Sequence, residues 1–154
     1  MKKKLLAASL ALAFGVGSGY VVNTFAQAKP EVLVKQRQAA MTLIGKYWGP
    51  LGAMASGKAP YNAEVVARNA VYLDALTQMP WDGFAADTKD TAEKTRALPA
   101  VFTDTAKFKE GQDRLRGAVT KLVAASKGGE DAFKAAAGEV GKACAACHEN
   151  FRAK

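Results

Sequence analysis

Cys144-Ala145-Ala146-Cys147-His148, ending six residues before the C-terminus, is the most informative stretch of this chain. C-x-x-C-H is the attachment pattern of a c-type haem. Positions three and four apart share one face of a helix, so Cys144, Cys147 and His148 project together. Two thiols can then add to the two vinyl groups of one haem while the imidazole meets the iron from the same side. Working outward, Phe133, Ala137, Val140, Cys144, Cys147, His148 and Phe151 recur at steps of three and four, apart from the single step from 147 to 148. That is the apolar stripe of an amphipathic helix. The expectation is a site on the buried face of the last helix, inside the core.

Three other uses of the cysteines compete. A structural zinc site needs four ligands; the cluster offers three, with Glu149 a poor fourth. A thioredoxin-like C-x-x-C sits near a βαβ pattern, and no strand-rich segment is visible. A disulfide between residues three apart in a helix is geometrically awkward.

The chain has 154 residues, enough for one domain. Both of its cysteines lie in the motif, so no disulfide framework is available. A formal charge of +8 suggests nucleic acid at first. Three of the lysines, however, lie in residues 1–28, which hold no acid; the rest carries 19 basic and 14 acidic residues, a net +5. These are scattered and interleaved, the pattern of a solvated mixed-charge surface rather than a nucleic-acid-binding one. A mild preference for acidic partners is left.

Residues 1–28 read as a secretory signal peptide: Lys2-Lys3-Lys4 as the basic region, Leu5 to Val16 as an apolar run of 12 residues, and Ala26-Gln27-Ala28 as an A-x-A cleavage site. The apolar run is broken by Gly17-Ser18-Gly19 and Asn23, too short to span a membrane comfortably. No stable membrane anchor is expected after cleavage. The compartment implied is the bacterial periplasm.

Residues 29–154 read as four amphipathic helices. The first runs from Pro30 to about Ala55, with Leu33, Arg37, Ala40, Ile44, Tyr47, Leu51 and Met54 on one stripe. Val34, Gln38, Met41, Gly45, Trp48 and Gly52 lie on its neighbour. Pro50 inside it predicts a kink. Gly45, Gly49 and Gly52 make a strip of minimal side chains, explained either by close approach of another helix or by a frayed helix. Asn62 caps a second helix ending near Met79, with Val65, Asn69, Tyr72, Leu76 and Met79 as its stripe. Residues 80–98 have no clear period and read as irregular structure with Trp81 and Phe84 tucked onto the core. A third helix opens at Pro99, with Val101, Thr105, Phe108, Gln112, Leu115, Val119 and Leu122 as its stripe, and ends at Gly128-Gly129. Glu130 and Asp131 open the fourth at its positive dipole end. The fold expected is all-α, an antiparallel up-and-down four-helix bundle, with the haem between the last helix and the first.

His148 is the only histidine, which excludes a bis-histidine haem within one chain. Met41 lies on the broad face of the first helix, one turn after Arg37. If that helix crosses the open haem face, Met41 overlies the iron and Arg37 reaches a propionate. Spacing equally allows Met41 as core filling and Arg37 as a surface residue with a snorkelling stem.

Four stretches together resemble cytochrome c′, the high-spin class II c-type cytochrome and a standard instance of the up-and-down bundle. They are Val34-Lys35-Gln36-Arg37-Gln38-Ala39-Ala40-Met41, Gly57-Lys58-Ala59-Pro60-Tyr61, Met79-Pro80-Trp81, and Cys144 to Arg152. The resemblance implies one covalent haem c on Cys144 and Cys147 with His148 as axial iron ligand. It implies Arg37 and Gln38 near the propionates, Met41 over the distal face and Arg152 near the proximal side. Homodimers through the first two helices are typical of the family. The function implied is non-enzymatic: binding of nitric oxide and carbon monoxide at a five-coordinate iron, and electron transfer with periplasmic redox partners. In low-spin relatives a methionine equivalent to Met41 ligates the iron, which would make the protein an electron carrier. Some relatives place an acid near the haem, three residues before the proline that opens the third helix; here that residue is Arg96, so that contact is not carried over.

Cleavage between Ala28 and Lys29 and attachment at the motif set the mass of the exported protein. It should equal residues 29–154 plus one haem when expressed with a cytochrome c maturation system. A haem-free mass there would contradict the motif reading.

Overall fold

The computed structural model describes residues 28–154. The expected signal peptide therefore lies, apart from Ala28, outside the described residues. Five helices follow: α1 (Pro30–Ala55), α2 (Ala63–Leu76), α3 (Ala100–Thr103), α4 (Thr105–Ala125) and α5 (Gly129–Phe151). The described residues form no sheet strand, only one isolated antiparallel bridge between Ala97 and Arg152. The four long helices pack as a closed ring in which α1 meets α2, α2 meets α4, α4 meets α5, and α5 returns to α1. With short links this is the expected antiparallel four-helix bundle. Among the described residues no helix is long and apolar enough to cross a membrane.

α1 buries Leu33, Val34, Arg37, Ala40, Ile44, Leu51 and Met54, close to its expected stripe. It runs unbroken through Pro50. The Asn69 side chain donates to the Tyr47 carbonyl (3.2 Å), next to the Lys46 carbonyl that proline leaves without its usual donor. Neither explanation of the glycine strip holds within this chain. The helix is continuous there, and a Cβ on Gly45 or Gly49 would meet nothing within 4 Å. α1 ends with Gly57 at φ +73°, where the Lys58 N–H reaches back to the Ala53 carbonyl (2.8 Å).

Two expectations need correction. α2 starts on the Asn62 cap, which accepts from the Val65 N–H (3.0 Å), but stops at Leu76. Its buried line is Val66, Asn69, Ala70, Leu73 and Leu76, whereas Tyr72 and Met79 are exposed. The phase is turned because α2 packs into the corner between α1 and α4, and Tyr72 lies edge-on to Tyr47 (4.9 Å) at the outer seam. The helix opened by Pro99 is likewise broken after one turn, at Asp104 (φ −114°, ψ 57°). The Asp104 side chain caps α4 by accepting from the Lys107 N–H (3.4 Å).

Apolar burial divides into two clusters. One fills the bundle, with Leu51, Val66, Leu73, Val119, Leu122 and Phe133 essentially inaccessible. At about 1.5–3 kcal/mol for each fully buried large side chain, this cluster carries most of the hydrophobic stabilisation. The second is smaller: Val101, Phe108 and Phe151, with Trp81 and Phe84 packed on it. Phe108 sits edge-on to both Phe84 (4.9 Å) and Phe151 (5.1 Å).

Residues 80–98 form a strap made of two short 3-10 turns, Asp82–Phe84 and Ala86–Thr88, and extended chain. It reaches α1 so closely at Gly83 that a Cβ there would stand 2.5 Å from the Arg37 Cβ and 2.7 Å from the Leu33 carbonyl oxygen. Gly83→Ala should therefore cost about 1–3 kcal/mol through overpacking. Gly138→Ala, on an open face of α5, should instead gain about 0.5–1 kcal/mol. Denaturant titration of the two variants reads the opposite signs.

Candidate functional site

The two clusters meet through Trp81, which packs against both. Between them lies a cavity of about 780 Å³. Cys144 packs against the first cluster and Cys147 against the second, so the C-x-x-C turn of α5 spans the junction. The buried residues of α5 are Phe133, Ala137, Val140, Ala143 and Phe151. The thiols lie between Ala143 and Phe151, half-buried, and His148 borders the cavity. The motif, expected on the buried face of the last helix, borders this cavity.

All seven residues singled out from the sequence border this one cavity. Cys144, Cys147, His148 and Arg152 come from α5 and its end; Arg37, Gln38 and Met41 come from α1. Helical spacing groups Arg37, Gln38 and Met41, and likewise Cys144, Cys147 and His148, each set lying within about one turn of its helix; Arg152 follows just past the end of α5. Met41 is half-buried, and Gln38 and Arg152 are exposed.

Arg37 is 3% exposed. Its guanidinium is committed to the strap. Nη1 donates to the Gly83 carbonyl and to Thr88 Oγ1 (3.4 Å), and Nη2 donates to Thr95 Oγ1 (2.8 Å). Its carbon Cζ lies 4.5 Å from the centre of the Phe84 ring, a stacking contact. Neither of the sequence alternatives describes it fully. Arg37 is buried, not on the surface, and its bonds go to the strap. Gln38 behaves alike, donating to the Lys94 carbonyl (2.8 Å). Lys35 adds an exposed ion pair to Glu93 (2.8 Å), a type worth at most about 1 kcal/mol.

The electrostatics of the wall are one-sided. Arg37, Lys94, Arg96 and Arg152 border the cavity and no carboxylate does. Burial pulls the Arg37 guanidinium below its ordinary pKa, the direction expected of a sheltered cation without a counter-ion. Partial desolvation, and then the charges of Arg152 and Arg96, hold the His148 imidazole below its usual value. It is therefore neutral at pH 7, with a lone pair free for a metal. Burial pushes both thiols up, and Cys144 is raised also by its neighbour Cys147. A redox or nucleophilic C-x-x-C needs the reverse shift. Among the described residues no group of three or more His, Cys, Asp or Glu side chains is placed to hold a metal ion directly.

These features fit a haem. The inner wall is apolar, with Ile44, Trp48, Phe108 and Leu115 suited to a flat hydrophobic ring. At Gly45, also on the wall, a Cβ would meet no protein atom within 4 Å. The outer wall carries the cations that an acid-bearing edge requires. Sequence reasoning missed Lys94 as a cation-bearing wall residue, and marked Arg96 only as standing where some relatives place an acid near the haem. The strap has no period, and nothing local marks which of its charges turn inward.

Comparison with known proteins agrees. The family model described as Cytochrome C′ matches residues 32–152. The chain is 44% identical over 127 residues to the cytochrome c′ of Rubrivivax gelatinosus, covering 82% of this chain and 98% of that protein. The crystal structure of the Rubrivivax protein superposes with a TM-score of 0.76 at 43% identity, covering 80% of this chain and 97% of that one. Two structures of variants of the Alcaligenes xylosoxidans cytochrome c prime superpose with TM-scores of 0.73 at 38% identity, each covering 82% of this chain and 98% of that one. One is a nitric oxide complex and the other has carbon monoxide bound.

Arg37→Ala removes three donors from the strap and leaves the Gly83 carbonyl without its partner. Bonds to a charged group are worth about 1.5–3 kcal/mol each, so a loss of about 3 kcal/mol or more is expected. Amide exchange in residues 81–98 should rise more than in α2 or α4. Unchanged exchange in the strap would refute the pinning role.

Proposed function

Because the chain belongs to the cytochrome c′ family, we propose that it carries one covalent haem c and binds nitric oxide and carbon monoxide at a five-coordinate iron. The observation that carries this reading is the cavity, which gathers the C-x-x-C-H motif, Met41 and four cations on one wall system with no carboxylate. Cys144 and Cys147 would hold the haem through thioethers and His148 would hold its iron as axial ligand. When bound, haem c supplies an iron that takes a diatomic ligand and exchanges one electron.

The residues of this chain then decide access and charge. Met41, Ile44 and Trp48 border the cavity from α1. The chain has no second histidine to donate to a bound ligand. Bound dioxygen develops negative charge and needs such a donor, whereas nitric oxide and carbon monoxide need it far less. Arg37 contributes its charge to the propionate edge, since its bonds go to the strap, and Arg152 contributes a second charge from the α5 end. The relatives solved with nitric oxide and carbon monoxide support this choice of ligands.

Residues 1–28 are, on this reading, removed during export, and the mature protein works in the periplasm, exchanging electrons with redox partners there. It pairs as a homodimer through α1 and α2. The apolar residues left exposed on those helices, Val32, Leu43, Val71 and Tyr72, support that surface; sedimentation at micromolar concentration tests it.

Met41 acts as a steric gate in this proposal. Met41→Ala should speed carbon monoxide binding by at least tenfold while the ferric spectrum stays high-spin. In the second reading Met41 is the sixth ligand and the protein is a low-spin electron carrier. The native ferric protein would then show a methionine–iron charge-transfer band, and Met41→Ala would abolish it. That band in the wild type would overturn the gate.

A further inference from the structure

The strap ends by crossing to the C-terminus of α5. The Ala153 N–H donates to the Arg96 carbonyl (2.7 Å), and the Leu98 N–H donates to the Phe151 carbonyl (3.0 Å). Between them Ala97 pairs with Arg152. The Arg96 side chain adds a second tie, with Nε and Nη2 both donating to the Ala153 carbonyl (3.0 and 2.8 Å). Two donors on one acceptor fix the plane of the guanidinium, so an exposed cation is held in place. The accepting carbonyl lies beyond the last residue of α5, Phe151, so this contact does not serve to cap the helix.

Arg96 makes no ion pair with any of the described carboxylates. Glu93, three residues before it, is engaged by Lys35, and Glu149 is not on the cavity wall. Arg96 borders the cavity together with Cys147 and His148. Neither the motif nor the periodicity of the chain assigns it a role.

We infer that Arg96 sets the redox poise of the haem, as a tethered positive charge on the cavity wall it shares with His148; the inference rests on the haem reading above. Reduction removes one unit of positive charge from the iron. A nearby cation therefore stabilises the ferrous form relative to the ferric one. Arg96 is exposed, so the effect is damped by water and screened by salt. The carbonyl tether matters because it stops the side chain from swinging away into solvent.

The test is a spectroelectrochemical titration of the haem-loaded wild type, Arg96→Gln and Arg96→Lys at low and high ionic strength, with thermal unfolding alongside. Arg96→Gln should lower the midpoint potential. At the wild-type midpoint its reduced-to-oxidised ratio should fall by about threefold at low salt, and by less at high salt. Arg96→Lys keeps the charge but cannot make the paired bond to Ala153, and its potential should fall between those of Arg96→Gln and the wild type. A purely structural tether predicts instead that both variants lose stability while their potentials match the wild type. A Gln variant with the wild-type potential at low salt, or a Lys variant shifted as far as Gln, overturns the inference. A wild-type protein without covalent haem would overturn the reading of the site itself.

Discussion

The bond set of Arg37 is the constraint on which the rest of the site depends. A guanidinium taken out of water costs several kcal/mol unless its donors are met. Here they are met by the Gly83 carbonyl, Thr88 and Thr95, all on one segment whose own regular hydrogen bonding is limited to two short 3-10 turns. The segment is thereby drawn onto α1 tightly enough to require glycine at 83. Phe84 is carried under the guanidinium and joins the aromatic contacts of Phe108 and Phe151. One buried side chain thus organises the strap, the second apolar cluster and the outer wall of the cavity.

The cavity is a consequence of how the bundle ends. Four helices pack closely where Leu51, Leu73, Leu122 and Phe133 interlock. Towards the other end α1 presents Met41, Gly45 and Trp48, and α4 presents Gly111 and Leu115; the second cluster closes the space from beyond. The C-x-x-C turn falls at this junction. Its thiols are shifted towards the protonated form and its imidazole towards the neutral one. Both shifts have one main source, loss of water. That combination suits covalent capture of a large apolar ligand and leaves the imidazole ready to coordinate, whereas thiolate chemistry is disfavoured.

The stripes of α1 and α5 were legible because each helix has one continuous buried face, and burial of that face is what a 3.6-residue period records. α2 was read with its phase turned. Tyr72 and Met79 are large and apolar yet exposed, and hydrophobicity alone cannot tell a core contact from an outer seam. The break at Asp104 was missed because a side-chain cap competes locally with a helix that Pro99 had already started. The residues singled out on α5 and α1 border one cavity, and Lys94 and Arg96 join them there through bonds made to other elements, which leave no local signal.

By itself the sequence determined the helical class, the four-fold division of the chain, the attachment motif and the single histidine. Each of these is encoded in local spacing, and local spacing acts through the geometry of one helix. Only the tertiary structure decided that Arg37 is buried and bound to the strap, and that the cavity carries cations without a carboxylate. Those outcomes join residues far apart in the chain: Arg37 meets Gly83, Thr88 and Thr95, and Arg96 meets Ala153. Contacts between separate elements leave no period in either one. They exist only once packing has brought the elements together and desolvation has made every unmet polar group costly.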